Sequence, residues 1–267
     1  MVAGRDSLVR VAKHAEDLGF NSLWVLDRIF FPVNPRAPYP VGDGSLPVKY
    51  KHVLDPLETL TFIAANTSRV ALDTSVLNLP WYNPVLLARR LTTLDILSGG
   101  RIRVGFGIGW SPDEYEAVGT PWQERGRRAD ELIRALKIIW TTDPVEFQGK
   151  YYRIPESFIG PKPVQKPHPP NFMAAYTPSS MRRVAYGWFP VGIPIGGVPQ
   201  MLERIKDMAR ESGRDPALLE LIVLANAEFS DSTLDKDRVD FTDTLEQIAA
   251  DITAIRKLGT TEILFDV

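Results

Sequence analysis

The chain has 267 residues, 44% of them hydrophobic and 24% charged, with a formal net charge of -2. That balance, with no long basic run, excludes a general attraction to nucleic acid. The complete lack of cysteine excludes disulfides, thiolate metal sites and a cysteine nucleophile. No apolar run approaches the roughly 18 residues of a membrane span, and Met1–Asp6 has no signal-peptide core. The expectation is a cytoplasmic protein without membrane or nucleic-acid partners. Its length lies near the roughly 250 residues common for one (β/α)8 barrel, so a single domain over 1–267 is expected.

Leu8, Val11, Ala12, Ala15 and Leu18 recur at helical spacing, and Gly19 supplies a stop. Ser22–Leu26 reads as a buried strand that delivers Asp27 and Arg28 at its carboxyl end. The stretch 29–54 is rich in proline and glycine and reads as a functional excursion. Asp55-Pro-Leu-Glu58 predicts a helix start, with Asp55 as N-cap and Glu58 closing a capping box. A strand over Val70–Ser75 follows, then a helix from Asn83-Pro84 to Leu97.

Next comes Leu94-Asp-Ile-Leu-Ser-Gly-Gly-Arg101, a two-glycine helix stop, and a strand over Ile102–Phe106. Gly105, Gly107 and Gly109 alternate at the end of that strand and open onto Trp110. Such glycines either clear a surface for a flat ring system or permit close packing of backbone. The spacing is not the dinucleotide fingerprint, since the third glycine falls one residue early.

Ser111-Pro-Asp-Glu114 predicts a short capped helix, and Glu124–Thr141 a longer one. Within an excursion over 142–170, Val145–Ile154 reads as a hairpin around Gln148-Gly149 and the proline-rich 160–170 as an extended connection. Strands are predicted over Asn171–Ala175, Trp188–Val191, Leu219–Ala225 and Glu262–Phe265. Helices are predicted over Pro178–Ala185, Pro199–Ser212 and Asp243–Leu258, the last with Glu246 in a capping box. Alternating apolar strands and helices predict a parallel sheet covered by helices, and length favours a closed barrel.

In a barrel the functional residues follow the strands. The candidates are Asp27 and Arg28, Thr74–Val76, Gly107–Trp110, Ala175–Ser179 and the loop after Val191. Asp27 reads either as an acid–base group or as a structural partner of Arg28. The start of the helix after Ala174-Ala-Tyr-Thr-Pro-Ser179 offers backbone N–H groups to a phosphate, or is an ordinary N-cap. His14, His52 and His168 show no metal spacing; His52, in the long excursion, is a candidate for facing substrate. No hydrolase or kinase signature is present.

Several words of this sequence resemble the luciferase-like monooxygenase superfamily, especially its branch using the deazaflavin coenzyme F420. They are Ala15–Asp27, Asn83–Ala88, Leu94–Arg101, Gly105–Trp110, Gly119 with Glu124-Arg125, and Pro161–Pro170. The resemblance implies an α/β fold, a (β/α)8 TIM barrel, with F420 or alternatively FMN over the carboxyl ends of the strands, and a homodimer. It implies a non-prolyl cis peptide at Ser75–Val76 beneath the ring, with Thr74, Gly107, Gly109 and Trp110 around it. It also implies a phosphate clamp at Ala174, Ala175, Tyr176, Thr177 and Ser179, and Asp27 with Arg28 facing the reactive edge.

Against that pattern the chain begins at a helix and ends on a strand. The expected barrel therefore lacks a first strand and a last helix. Tyr176-Thr177 stands where relatives often carry two glycines, and Tyr186-Gly-Trp188 shortens a Gly-Asp-Gly-Trp. The function expected is hydride transfer between F420 and a small organic substrate, with catalytic roles for Asp27, Arg28 and His52 and apolar walls from Trp24 and Trp110. The alternatives are an FMN-dependent monooxygenase and a non-catalytic flavin-binding or partner-subunit relative.

Overall fold

Continuously apolar strands separated by amphipathic helices form parallel ladders, because only a helical crossover returns the chain in the same direction. The computed structural model describes residues 4–184, 187–190, 192–231 and 238–266. These fall into two compact units, Met1–Asn171 and Phe172–Val267.

The first unit opens with α1 (Arg5–Asp17), β1 (Ser22–Val25), α2 (Pro56–Ala64), β2 (Ala71–Thr74), β3 (Leu77–Asn78), α3 (Pro84–Ser98) and β4 (Ile102–Gly107). β1 pairs with β2 and β2 with β4, all parallel, and β3 lies beside the far end of β4. The register aligns Trp24 with Asp73 and Asp73 with Arg103. These three side chains share one tier: Arg103 Nε lies 2.8 Å from Asp73 Oδ1, and its guanidinium lies 5.7 Å from the Trp24 ring. Leu60, Leu72, Leu87, Leu91, Ile102 and Val104 are fully buried around the ladder.

The unit continues with α4 (Pro112–Ala117), α5 (Arg125–Thr141) and the antiparallel pair β5 (Val145–Gln148) and β6 (Arg153–Ser157). The hairpin turn is wider than a two-residue Gln148-Gly149 turn. The Glu131 carboxylate, on α5, accepts from the N–H groups of Lys150, Tyr151 and Tyr152 at 3.0, 2.7 and 2.7 Å and holds the loop open. The proline-rich connection is tied down by Asp95, which accepts from Val164 N and Gln165 N at 2.7 and 3.1 Å.

Helix ends follow local chemistry with tertiary exceptions. Asp55 and Asn83 cap α2 and α3 through their side chains, each ahead of a proline. Glu58 turns to Arg90 at 2.6 Å. Gly99, with φ of 71°, closes α3 in the left-handed conformation that glycine adopts without steric cost. The Arg101 guanidinium then donates to the carbonyls of Ala64, Thr67, Val70 and Ser98, satisfying the open end of α2.

The Glu16 carboxylate does the reverse for the loop before β2. It accepts from the N–H groups of Ser68, Arg69 and Val70. Burial pushes Glu16 up, but these backbone donors and the Arg69 charge outweigh it and bring the group down to about 2.

The second unit comprises β7 (Asn171–Met173, its first residue in the first unit), α6 (Pro178–Met181), β8 (Gly187–Trp188), α7 (Val198–Glu211), β9 (Glu220–Ala225), β10 (Glu228–Phe229), β11 (Thr242–Asp243), α8 (Leu245–Lys257) and β12 (Glu262–Phe265). β7, β8, β9 and β12 pair in that order, all parallel. α6 ends at Met181, short of the expected Ala185. The capping box of α8 is Thr244 with Gln247, so Glu246 only contributes charge to the first turn. Ala185, Tyr186, Val191 and Val267 lie outside the described residues.

Candidate active site

Past the end of β1, Asp27 is buried against β3 and the segment before α3. Its Oδ2 accepts from Asn78 N at 3.1 Å and from the Tyr82 hydroxyl at 3.0 Å, while Asn78 Nδ2 donates to the Asp27 carbonyl at 3.3 Å. Burial raises Asp27 to about 6 even though both donors favour the carboxylate.

Arg28 points into a cage. Its Nη2 lies 3.3 Å from Glu114 Oε2, with the side chains 7% and 2% exposed. The guanidinium lies 5.0 Å from the Trp110 ring and 6.0 Å from that of Tyr50. Tyr39 meets Trp110 edge-on with centroids 5.5 Å apart, and its hydroxyl is 3.2 Å from that of Tyr50. Arg28 Nε is buried and finds no hydrogen-bond acceptor among the described residues. Glu114 also accepts from Ile29 N at 3.0 Å. Burial pushes the Glu114 carboxyl up while the Arg28 charge pulls it down, and burial prevails.

Glu114 sits on α4, immediately after the glycine turn, so α4 clasps the 29–54 excursion. A second clasp lies at the surface, where Arg36 N and Nε reach Asp113 at 3.1 and 2.8 Å and Arg36 Nη2 reaches Glu116 at 2.5 Å.

The alternating glycines serve close packing of protein on protein. A Cβ at Gly105 would collide with the Thr74 carbonyl oxygen, and one at Gly107 would come within 2.5 Å of Val76 Cγ2. Gly109 adopts φ of 65° against Asn78 and Tyr115. The Thr74–Asn78 segment thus occupies the space beside Gly105 and Gly107. Thr74 is buried and donates its hydroxyl to the Gly105 carbonyl at 2.9 Å, and the Ser75–Val76 peptide is cis.

Two expected contributors lie elsewhere. His52 is exposed just after a 3-10 turn, Val48–Lys51, and the residue of that turn reaching Arg28 is Tyr50. Trp24 stands mid-strand in the Asp73–Arg103 tier, with its Nε1 donating to Ser22 Oγ at 2.7 Å.

In the second unit, Ala174 and Ala175 follow β7, and the Ala175 carbonyl accepts from Trp188 Nε1 at 2.9 Å. The N–H groups of Tyr176 and Thr177 both donate to Ser180 Oγ, at 3.0 and 2.9 Å, so the expected phosphate donors are engaged within the chain. The Thr177 and Ser179 hydroxyls are 3.0 Å apart on the surface. Tyr176 lines a cavity of about 560 Å³ with Gln200, Glu203, Arg204 and Asp207, two carboxylates to one guanidinium, a balance that disfavours an anion. Among the described residues no helix is long and apolar enough to cross a membrane, and no cluster of three metal-ligating side chains forms.

Glu114, Tyr82, Tyr39 and Tyr50 were not among the residues singled out from sequence. Glu114 was hidden by its position three residues after Ser111, where a capping role explains it locally. The aromatic content of the excursion was the available signal for Tyr39 and Tyr50.

The family model described as luciferase-like monooxygenase matches residues 3–234. An uncharacterized protein of Mycobacterium tuberculosis is 34% identical over 210 residues, covering 76% of this chain and 74% of that protein. An FMNH(2)-dependent dimethylsulfone monooxygenase of Pseudomonas putida is 36% identical over 210 residues, and the match covers 76% of this chain but only 53% of that enzyme. The solved structure of the coenzyme F420 dependent tetrahydromethanopterin reductase from Methanopyrus kandleri superposes with a TM-score of 0.77 at 17% identity, covering 99% of this chain and 90% of that one. The fold class is therefore α/β of the TIM-barrel type. The chain belongs to the luciferase-like monooxygenase family.

Proposed function

We propose that the chain is an oxidoreductase that moves a hydride between coenzyme F420 and a small organic substrate, with Asp27 exchanging the accompanying proton. The observation that carries this reading is Asp27 itself, a buried carboxyl raised to about 6 and followed in sequence by a buried arginine. Hydride addition to a polar double bond leaves a negative charge that must take up a proton. A group that titrates near neutrality serves that transfer in either direction.

Bound F420 would supply the two-electron hydride chemistry. The chain's own share is to orient, shield and protonate. Trp110, Tyr39 and Tyr50 supply an apolar wall that excludes water, and Arg28 supplies a fixed donor toward developing negative charge. Ser75, Val76, Gly107 and Gly109 would form the floor under the ring. Within the second unit taken by itself, the Thr177 and Ser179 hydroxyls are the groups that would contact a phosphate. The same reading includes a homodimer, which sizing by light scattering tests.

A second reading, reduced FMN with oxygen, is favoured by the identity to the Pseudomonas putida enzyme. Titration of the purified chain with F420 and with FMN, followed by absorption and fluorescence, separates the two. Turnover by reduced F420 under anaerobic conditions, reduced at least about 100-fold in Asp27→Asn, is the expected result. Turnover only with reduced FMN and oxygen would replace the first reading with the second. Binding of neither ring at high micromolar concentration would leave a non-catalytic relative.

A further inference from the structure

Asp27 does not present its two oxygens equally. The fixed donors, Asn78 N–H and the Tyr82 hydroxyl, both end on Oδ2, at 3.1 and 3.0 Å. Asn78 is itself held from behind, since its Nδ2 donates to the Asp27 carbonyl, and its side chain stands where a Cβ at Gly109 would crowd it. Among the described residues no donor reaches Oδ1. An oxygen that already accepts two hydrogen bonds is the poorer place for a proton, because protonating it would set O–H against N–H and O–H. The proton therefore resides on the other oxygen.

We propose that Tyr82 is a positioning residue for Asp27: together with the Asn78 N–H it holds Oδ2 as a permanent acceptor and so directs proton exchange to Oδ1. This rests on the acid–base role given to Asp27 above. In the step, the Oδ1–H bond breaks as the proton passes to the atom that gains negative charge, leaving the carboxylate. In the reverse direction Oδ1 takes the proton back. Tyr82 donates throughout and is not consumed, and its own burial and the nearby Asp27 charge push its hydroxyl far up, so it stays protonated.

The charged groups that bear on Asp27 are Asp55, which caps α2, Arg90 on α3, and Glu114 on α4 beside Arg28. Asp55 and Arg90 act in opposite directions on it, and Arg90 also pairs with Asp55 at 3.0 Å. The Tyr82 hydrogen bond to the carboxylate can thus be removed by a side-chain substitution that leaves the local charge unchanged.

The test is an infrared titration of the protonated-carboxyl stretch, with Asp27→Asn identifying the Asp27 band. Tyr82→Phe is expected to raise its midpoint by about one pH unit, since the lost bond stabilised the charged form. The limb of the kcat/KM profile governed by Asp27 should move by the same amount in the same direction. Tyr82→Met is a second donor-free variant should Tyr82→Phe fail to fold. An unmoved midpoint in either folded variant overturns the positioning role and leaves the acid–base reading intact. Undiminished turnover in Asp27→Asn overturns the acid–base reading itself, and with it this proposal.

Discussion

Arg28 and Glu114 face each other across 3.3 Å in nearly complete burial, although 85 residues of chain separate Glu114 from the Ile29 N–H that it also accepts. A buried ion pair contributes little net stability when whole, but losing one partner strands the other charge away from water. Glu114→Ala is expected to cost about 3–5 kcal/mol. Glu114→Gln should cost less, because its amide oxygen still accepts from Ile29. Urea denaturation of both variants checks the order, and equal losses would show that the lost charge, not the acceptor for Ile29, carries the whole cost.

Asp27 makes stability and pH oppose each other. Its folded pKa of about 6 lies above the ordinary 3.8, so folding disfavours the ionised form. The penalty is absent below about pH 4, grows as pH rises, and is complete above about pH 7. Asp27→Asn should therefore be more stable than wild type at pH 8 by about 2–3 kcal/mol and indistinguishable from it near pH 4. Thermal unfolding at the two pH values decides it; a variant less stable at pH 8 would mean that the hydrogen bonds at Oδ2 outweigh desolvation.

Glu16 behaves in the opposite sense. Its folded value of about 2 lies below the ordinary 4.5, so its contribution is full above about pH 5 and fades as pH falls toward 2. Glu16→Ala, which leaves the N–H groups of Ser68, Arg69 and Val70 without their acceptor, should cost about 1–3 kcal/mol at pH 7 and progressively less under acid. Denaturation curves from pH 7 down to pH 3 would reveal a constant difference if the carboxylate charge were irrelevant.

Gly105→Ala and Gly107→Ala should differ in a way that their spacing alone does not suggest. The first collides with the fixed carbonyl of Thr74, the second with a side-chain methyl of Val76. Loss of folded protein is expected for the first, and a penalty of about 1–3 kcal/mol for the second. Adding Val76→Ala should recover part of that penalty. Circular dichroism melts of the single and double variants provide the comparison.

The order of strands and helices was legible because continuous apolar runs and proline-led helix starts are local signals, and Asp55 and Asn83 cap where their side chains dictate. Asp27 and Arg28 were legible as polar residues at the end of an apolar strand. The cis peptide at Ser75–Val76 was legible only through resemblance. What local pattern does not reveal is a carboxylate's distant partner. Glu58 and Glu114 stand where a capping box would use them, yet one goes to Arg90 and the other to Arg28 and Ile29. Glu131 resets a turn some twenty residues onward. Gly105, Gly107 and Gly109 left two readings open, since spacing shows that room is needed but not whether ligand or protein takes it.

Arg101 has one further consequence. A single guanidinium gathers the terminal acceptors of α2, the start of β2 through Val70, and the last turn of α3 through Ser98. Two successive crossover units are thus indexed to each other by one planar fork rather than by apolar contact alone, which tolerates sliding. A lysine there would keep the charge but not the fan of directions, so the spacing between these units is encoded in the shape of one side chain.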